Sequence, residues 1–229
     1  MPEAWWPSQL GQYWEMLRRD TSQEAANRAI DAVVNDPGAP GLVAAYYAAE
    51  GPFAGSTFDL VGDNPQDRLG PADLLAVTLL DVMPPPPAVR RILYGDSDLL
   101  AGLLEAVPAS VELWEASQPD LEVAGTLWEH LRTYPGVDWV TAGKLLARKR
   151  PRLIPVIDSV IVAAVPAADH GYWEAFRSAL QDPERRRRIQ ALRGEVDTRI
   201  SDLRILDVAI WMRHSRGRNA TGARAETNF

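Results

Sequence analysis

The sequence predicts an all-α fold, on three observations. Apolar residues recur at helical spacing along most of the chain, while alternating strand patterns are nearly absent. Breakers fall between these periodic segments rather than inside them, as at Asn35-Asp36-Pro37-Gly38, Gly51-Pro52 and Pro84–Pro87. The connections left over are short, as packed helices require. A chain of 229 residues, 46% of them hydrophobic, can bury a core without covalent staples. The organisation expected is one compact helical unit with two lobes, acidic over 1–118 and basic over 119–214, and a flexible tail over 215–229.

The elements follow in order. Residues 8–19 read as an amphipathic helix carrying Trp14, Met16 and Leu17. Thr21 or Ser22 caps a second helix that ends near Asn35. Leu42 to Glu50 is a short apolar helix closed by Gly51-Pro52, and Trp5, Trp6, Tyr46 and Tyr47 are assigned to the core. Residues 51–70 are a loop with a short strand at Thr57–Val61, and Asn64 is a candidate lid position. Pro71 suits the first position of a helix, where its missing N–H costs nothing. The four prolines from Pro84 form a stiff connector. Helices are expected at 88–94, 97–107, 110–117, 120–133, 139–149, 158–166, 172–181, 183–198 and 201–214, after which a polar tail frays.

Composition excludes several kinds of chemistry. Zero Cys removes disulfides, thiolate-zinc sites, Cys-bound iron–sulfur clusters and Cys nucleophiles. Three scattered histidines, His130, His170 and His214, do not make a metal site, so no metal is expected. No apolar run approaches the roughly 20 residues of a membrane span. The first residues lack a basic n-region followed by an apolar stretch, so a cytoplasmic protein is expected.

Charge is unevenly divided. Residues 1–131 hold 6 Arg against 20 Asp and Glu, a net −14, whereas residues 132–229 hold 18 Lys and Arg against 11 acids, a net +7. A polyanion meets one face of a protein rather than its average, so the second part is a candidate nucleic-acid surface; the other reading is a solvated basic face without a ligand. Only two lysines occur, Lys144 and Lys149, both within the most basic stretch, Lys144 to Arg152.

The segment that carries chemistry is 127–162, LWEHLRTYPGVDWVTAGKLLARKRPRLIPVIDSVIV. Two helices are joined by Tyr134-Pro135-Gly136-Val137-Asp138, with Gly136 permitting a tight reversal. Exposed N–H groups of the turn and of the next helix start form an anion seat. Such a helix-hairpin-helix grips a phosphate without reading sequence. Then Pro155-Val156-Ile157 makes an extended approach that leaves Asp158 at a helix start, where the dipole favours a carboxylate.

The pattern P-G-V-x-x-x-T-A, an apolar helix and then P-V-x-D resembles the signature of the helix-hairpin-helix DNA glycosylase superfamily. The likeness is close over about 35 residues. It implies DNA as partner and Asp158 as the catalytic carboxylate. The position of the lysine that makes some members glycosylase/lyases is Val140 here, so a monofunctional enzyme is implied. Asp138 stands where the pattern has its second Gly and puts negative charge beside the phosphate seat. The stretch KLLARKRPRLIPVIDS is also similar to an uncharacterised actinobacterial family, which implies no activity.

By this resemblance Asp158 stabilises the oxocarbenium character that builds at C1′ as the base leaves, and orients or deprotonates water. The base must first be flipped from the stack. DNA contacts are assigned to Pro135, Gly136, Val137, Asp138, Trp139, Val140 and Thr141 at the turn, and to Lys149, Arg150 and Arg152 beyond it. Lys144, one helical turn after Val140, is either a displaced amine nucleophile or a phosphate or ion-pair partner. Trp211 and Asp207, at i and i+4 on the last long helix, are the candidate base pocket, with a core Trp and an Arg-paired Asp as the other reading. No cofactor is expected beyond a structural monovalent cation on the hairpin carbonyls. The substrate is a damaged base or a modified base of invading DNA, so repair and defence both stay open. The competing functions are a non-catalytic nucleic-acid-binding module and a helical protein-interaction module.

Overall fold

The computed structural model describes residues 22–167 and 171–227. The expected helix at 8–19 and the aromatics Trp5 and Trp6 lie outside these residues. Among the described residues every regular element is a helix, so the fold is all-α. The helices are α1 (22–34), α2 (Ala39–Tyr46), α3 (Pro71–Thr78), α4 (Pro86–Arg90) and α5 (Ser97–Ala106). They continue with α6 (Gln118–Arg132), α7 (Trp139–Lys149), α8 (Ser159–Ala164) and α9 (Tyr172–Ala179). The last three are α10 (Pro183–Leu192), α11 (Asp202–His214) and α12 (Arg218–Glu226).

Local chemistry sets most boundaries. Pro71, Pro86 and Pro183 each fall in a first helical turn. Ser117, Asp138, Asp158, Asp182 and Ser201 cap α6, α7, α8, α10 and α11 through their side-chain oxygens.

Two helices are central. Residues 141–150 of α7 and its C-cap are all buried, and α11 is buried from Leu203 to Ile210. Around them, α3 and α6 pack on α7, while α2, α8, α10 and α12 pack on α11. One continuous core draws on residues from Ala26 to Ile210. Residues of both charge halves contribute to this core.

Several expectations are corrected. Thr57–Val61 is not a strand: a 3₁₀ turn covers Ala54–Thr57, and Leu60 and Val61 both donate back to the Thr57 carbonyl. The helix expected at 110–117 is one 3₁₀ turn at Leu113–Glu115, because Leu113 N donates instead to Arg152 O at 2.9 Å. The helix expected to run to 198 stops at Leu192, where Gly194 turns the chain at φ +52°. Asn64 is no lid. Its amide is tied to Arg148 O at 2.9 Å and to Lys149 Nζ at 2.8 Å.

Over residues 215–227 the tail does not fray. Residues 218–226 form α12, which buries Ala220 and Ala223 against Leu42, Tyr46 and Met212. Arg224 pins it by donating to the carbonyls of Met212 and Ser215. Small side chains let α12 lie close to its neighbours, a feature that polar composition conceals.

Candidate functional site

The turn between α6 and α7 is built as its residues dictate. Gly136 takes φ +79°, and a Cβ there would come within 2.7 Å of Pro85 Cγ. Glycine is thus demanded twice, by the backbone and by the proline connector seated against it. Tyr134 is buried beneath the turn, with the Arg91 guanidinium 4.5 Å from its ring centre. Asp138 accepts from the backbone N–H and the hydroxyl of Thr141, both at 2.7 Å. Burial works against this carboxyl, but those hydrogen bonds hold it below the usual carboxylate range. Pro135, Gly136 and Trp139 are exposed at the turn, Val140 is half-buried, and the Val137 and Thr141 side chains face inward.

Asp158 caps α8 from an extended backbone. Its Oδ1 accepts from Val160 N at 2.9 Å and from Ile161 N at 3.0 Å. Oδ2 accepts no hydrogen bond from the described residues, and the side chain is half-buried. The carboxylate is electrostatically coupled to two buried groups, Lys144 and Tyr46.

Lys144 is only 5% exposed and donates to Leu80 O at 2.7 Å. Burial lowers its pKa, against the attraction of Asp158, Asp81 and Asp138 in that order. Asp81, next to the accepting carbonyl, takes φ +58°, an uncommon conformation for a non-glycine residue. Tyr46 is fitted closely, since a Cβ on Gly55 would meet its hydroxyl at 2.2 Å and Leu80 Cδ2 at 2.7 Å. Burial pushes the Tyr46 phenol up. Asp81, Tyr46 and the Leu80 carbonyl have no signature in the sequence, because turns distant along the chain bring them here.

Other assigned residues have different jobs. Lys149 and Arg150 are each 2% exposed, so neither reaches a phosphate. Lys149 Nζ bonds Asp73 Oδ2, Asn64 Oδ1 and Pro65 O, which fills its three donor positions. Arg150 bonds the carbonyls of Val107, Gln66, Leu104 and Lys149. Arg152 is exposed but paired with Glu112. Arg148, also buried, bonds the carbonyls of Phe58 and Val61. The basic stretch is an internal clamp on the loops of the acidic half.

The base pocket assigned to Trp211 and Asp207 is likewise corrected. Trp211 packs edge-on against Tyr46 and Phe53, with ring centres 6.2 Å away in each case. Asp207 is buried, 2.6 Å from Arg204 Nη1, and accepts from Val156 N at 2.8 Å. Arg204 also bonds Asp59 at 2.8 Å. Burial pushes the Asp207 carboxyl up to about 7, against the pull of Arg204. A carboxylate so engaged holds the segment leading to Asp158 rather than a ligand.

A cleft of about 510 Å³ lies elsewhere, among α6, α7, α8 and α9. Trp128, Trp139, Tyr172 and Trp173 wall it, and Gly125 and Gly143 open onto it. Pro155 and Ile157 line it, whereas Val156 and Asp158 do not, as alternation along an extended segment requires. Among the described residues no cluster of three or more His, Asp or Glu side chains is placed to hold a metal ion, and no helix is long and apolar enough to cross a membrane.

The described residues thus form a wholly helical fold, with a glycine turn leading into the buried α7 and a capping carboxylate at the start of α8, of which only Ile161 is buried. The chain belongs to DUF6308, a family of unknown function, whose model matches residues 39–214 and so spans the turn, Lys144 and Asp158. No curated protein and no solved structure matches the chain.

Proposed function

We propose that this protein is a monofunctional DNA N-glycosylase that excises a damaged or modified base. The observation that carries the reading is the half-engaged carboxylate of Asp158. Oδ1 is fixed by two backbone N–H groups of α8, which leaves Oδ2 to face a developing positive charge. Fixing one oxygen removes the reorganisation that a free carboxylate would need. The α6–α7 turn supports the reading through the backbone N–H groups of Gly136, Trp139 and Val140, which would meet a phosphate, whereas Val137 N is spent on Tyr134 O at 3.0 Å. Side-chain cations contribute little to that grip, since Lys149 and Arg150 are buried. The carbonyls of Gly136 and Val137 accept no hydrogen bond from the described residues and are the oxygen ligands a monovalent cation at the turn would use.

Val140, rather than an amine, stands in the first turn of α7, so no Schiff base forms there. The Lys144 ammonium, held on the Leu80 carbonyl, lies within electrostatic reach of Asp158. The test is a panel of duplexes carrying damaged and hypermodified bases, scored for alkali-labile sites with the native protein and with Asp158→Asn. Base release that survives the substitution, or no release across the panel, overturns the reading.

A further inference from the structure

We infer that the aromatic cleft is a binding site for an uncharged, planar aromatic heterocycle of nucleobase to nucleoside size. The inference does not depend on Asp158, which does not line this cleft.

The walls are ring-shaped and rigid. Trp128 and Trp173 meet edge to face, 6.4 Å apart at 68°, and form a corner in which a flat ring stacks on one indole while its rim touches the other. Trp128 is locked on two sides. Its Nε1 donates to Trp139 O at 3.1 Å, and the Arg132 guanidinium lies 4.4 Å from its ring centre. Trp139 remains 37% exposed, an uncommon placement for so large an apolar surface.

The floor is kept open. Gly125 and Gly143 lie inside helices, where glycine costs about 1 kcal/mol relative to alanine. Neither takes a positive φ. A Cβ at Gly125 would meet nothing within 4 Å, and one at Gly143 would meet only Trp128 Nε1, at 3.8 Å. Close packing therefore does not demand these glycines, while side chains there would project into the cleft. The volume of about 510 Å³ falls within the usual span for small-molecule sites, about 300–1,000 Å³.

Charge selects the ligand. An aromatic box beside a free carboxylate would take an ammonium ion. Here both oxygens of Glu129 accept from Arg132 Nη1, at 3.0 and 3.1 Å. The pair cancels, so neither a cation nor an anion is favoured. The indole N–H groups of Trp139 and Trp173 and the Tyr172 hydroxyl make no hydrogen bond among the described residues. They suit a ring with acceptors on its edge and leave an alkyl chain without a polar match.

Adenosine is the probe, followed by tryptophan fluorescence quenching and calorimetry on the full chain, with choline and octanoate as the cationic and alkyl comparisons. Saturable adenosine binding is expected, weakened at least about tenfold by Trp139→Ala and abolished by Gly125→Leu, which fills the cleft. Asp158→Asn leaves it unchanged, so this result and the glycosylase assay fail independently. Circular dichroism checks that the variants fold, and Trp139→Ala decides alone if Gly125→Leu does not. Absence of saturable adenosine binding, binding indifferent to the folded variants, or preference for choline or octanoate overturns the inference.

Discussion

Lys149 Nζ lies 2.9 Å from Asp73 Oδ2, and both side chains are completely buried. The contact joins the most basic stretch of the second half to α3 of the first. It shows what much of the charge asymmetry is for. Lys144, Arg148, Lys149, Arg150 and Arg204 all reach from the basic half to carbonyls or carboxylates of the acidic half. These cations bind the chain to itself.

Removing one partner of that pair leaves the other buried and unmatched. Lys149→Ala or Asp73→Ala is expected to cost about 3–5 kcal/mol, measured by urea denaturation. The salt dependence of any DNA binding should be the same in Lys149→Ala as in the native chain. A slope reduced by about one unit would restore Lys149 as a phosphate contact.

Two glycines should respond to the same change with opposite sign. Gly136→Ala meets Pro85 and forces an unfavourable φ, so it should destabilise by about 1–3 kcal/mol. Gly125→Ala, with open space and helical geometry, should stabilise by roughly 0.5–1 kcal/mol. Thermal unfolding of the two variants side by side decides this.

Asp207 imposes a pH dependence. Its folded pKa, about 7, lies above the ordinary 3.8. Between those values the folded state holds the extra proton, so its contribution to stability is full below the lower value and is lost as pH rises through the upper one. Denaturant unfolding across that window should show this loss, and Asp207→Asn should remove it. A native stability that climbs over the same range with the slope unchanged in the variant would refute the assignment.

Asp158→Asn separates chemistry from capping. Asn caps a helix nearly as well as Asp, so stability should change by no more than about 0.5 kcal/mol, while base release should fall by about 10²–10³-fold. Borohydride trapping on substrate DNA should give no covalent adduct. An adduct that disappears in Lys144→Ala would make the enzyme a lyase instead.

Ending the chain after Ser215 removes α12 and uncovers Leu42, Tyr46 and Met212. The expected loss is roughly 2–5 kcal/mol, seen as a lower thermal midpoint. An unchanged midpoint would mean that the tail contributes no packing.

The sequence by itself determined the helical class, the reach of α7 from Trp139 to Lys149, the turn at Gly136 and the cap at Asp158. Each rests on interactions spanning a few residues: apolar periodicity, a φ only glycine takes easily, an oxygen meeting the N–H two or three residues on. It also identified 127–162 as the segment worth reading. Only the tertiary structure decided what faces solvent. A charged side chain is at home at the surface or, if partnered, in the interior, and its partners are distant in sequence. The carbonyls of the acidic half that hold Lys149 and Arg150 lie 43 to 85 residues away, and the Tyr46 ring that packs Trp211 lies 165 residues away. The aromatic cleft was hidden for the same reason, since its walls are contributed by four helices that meet only when the core closes.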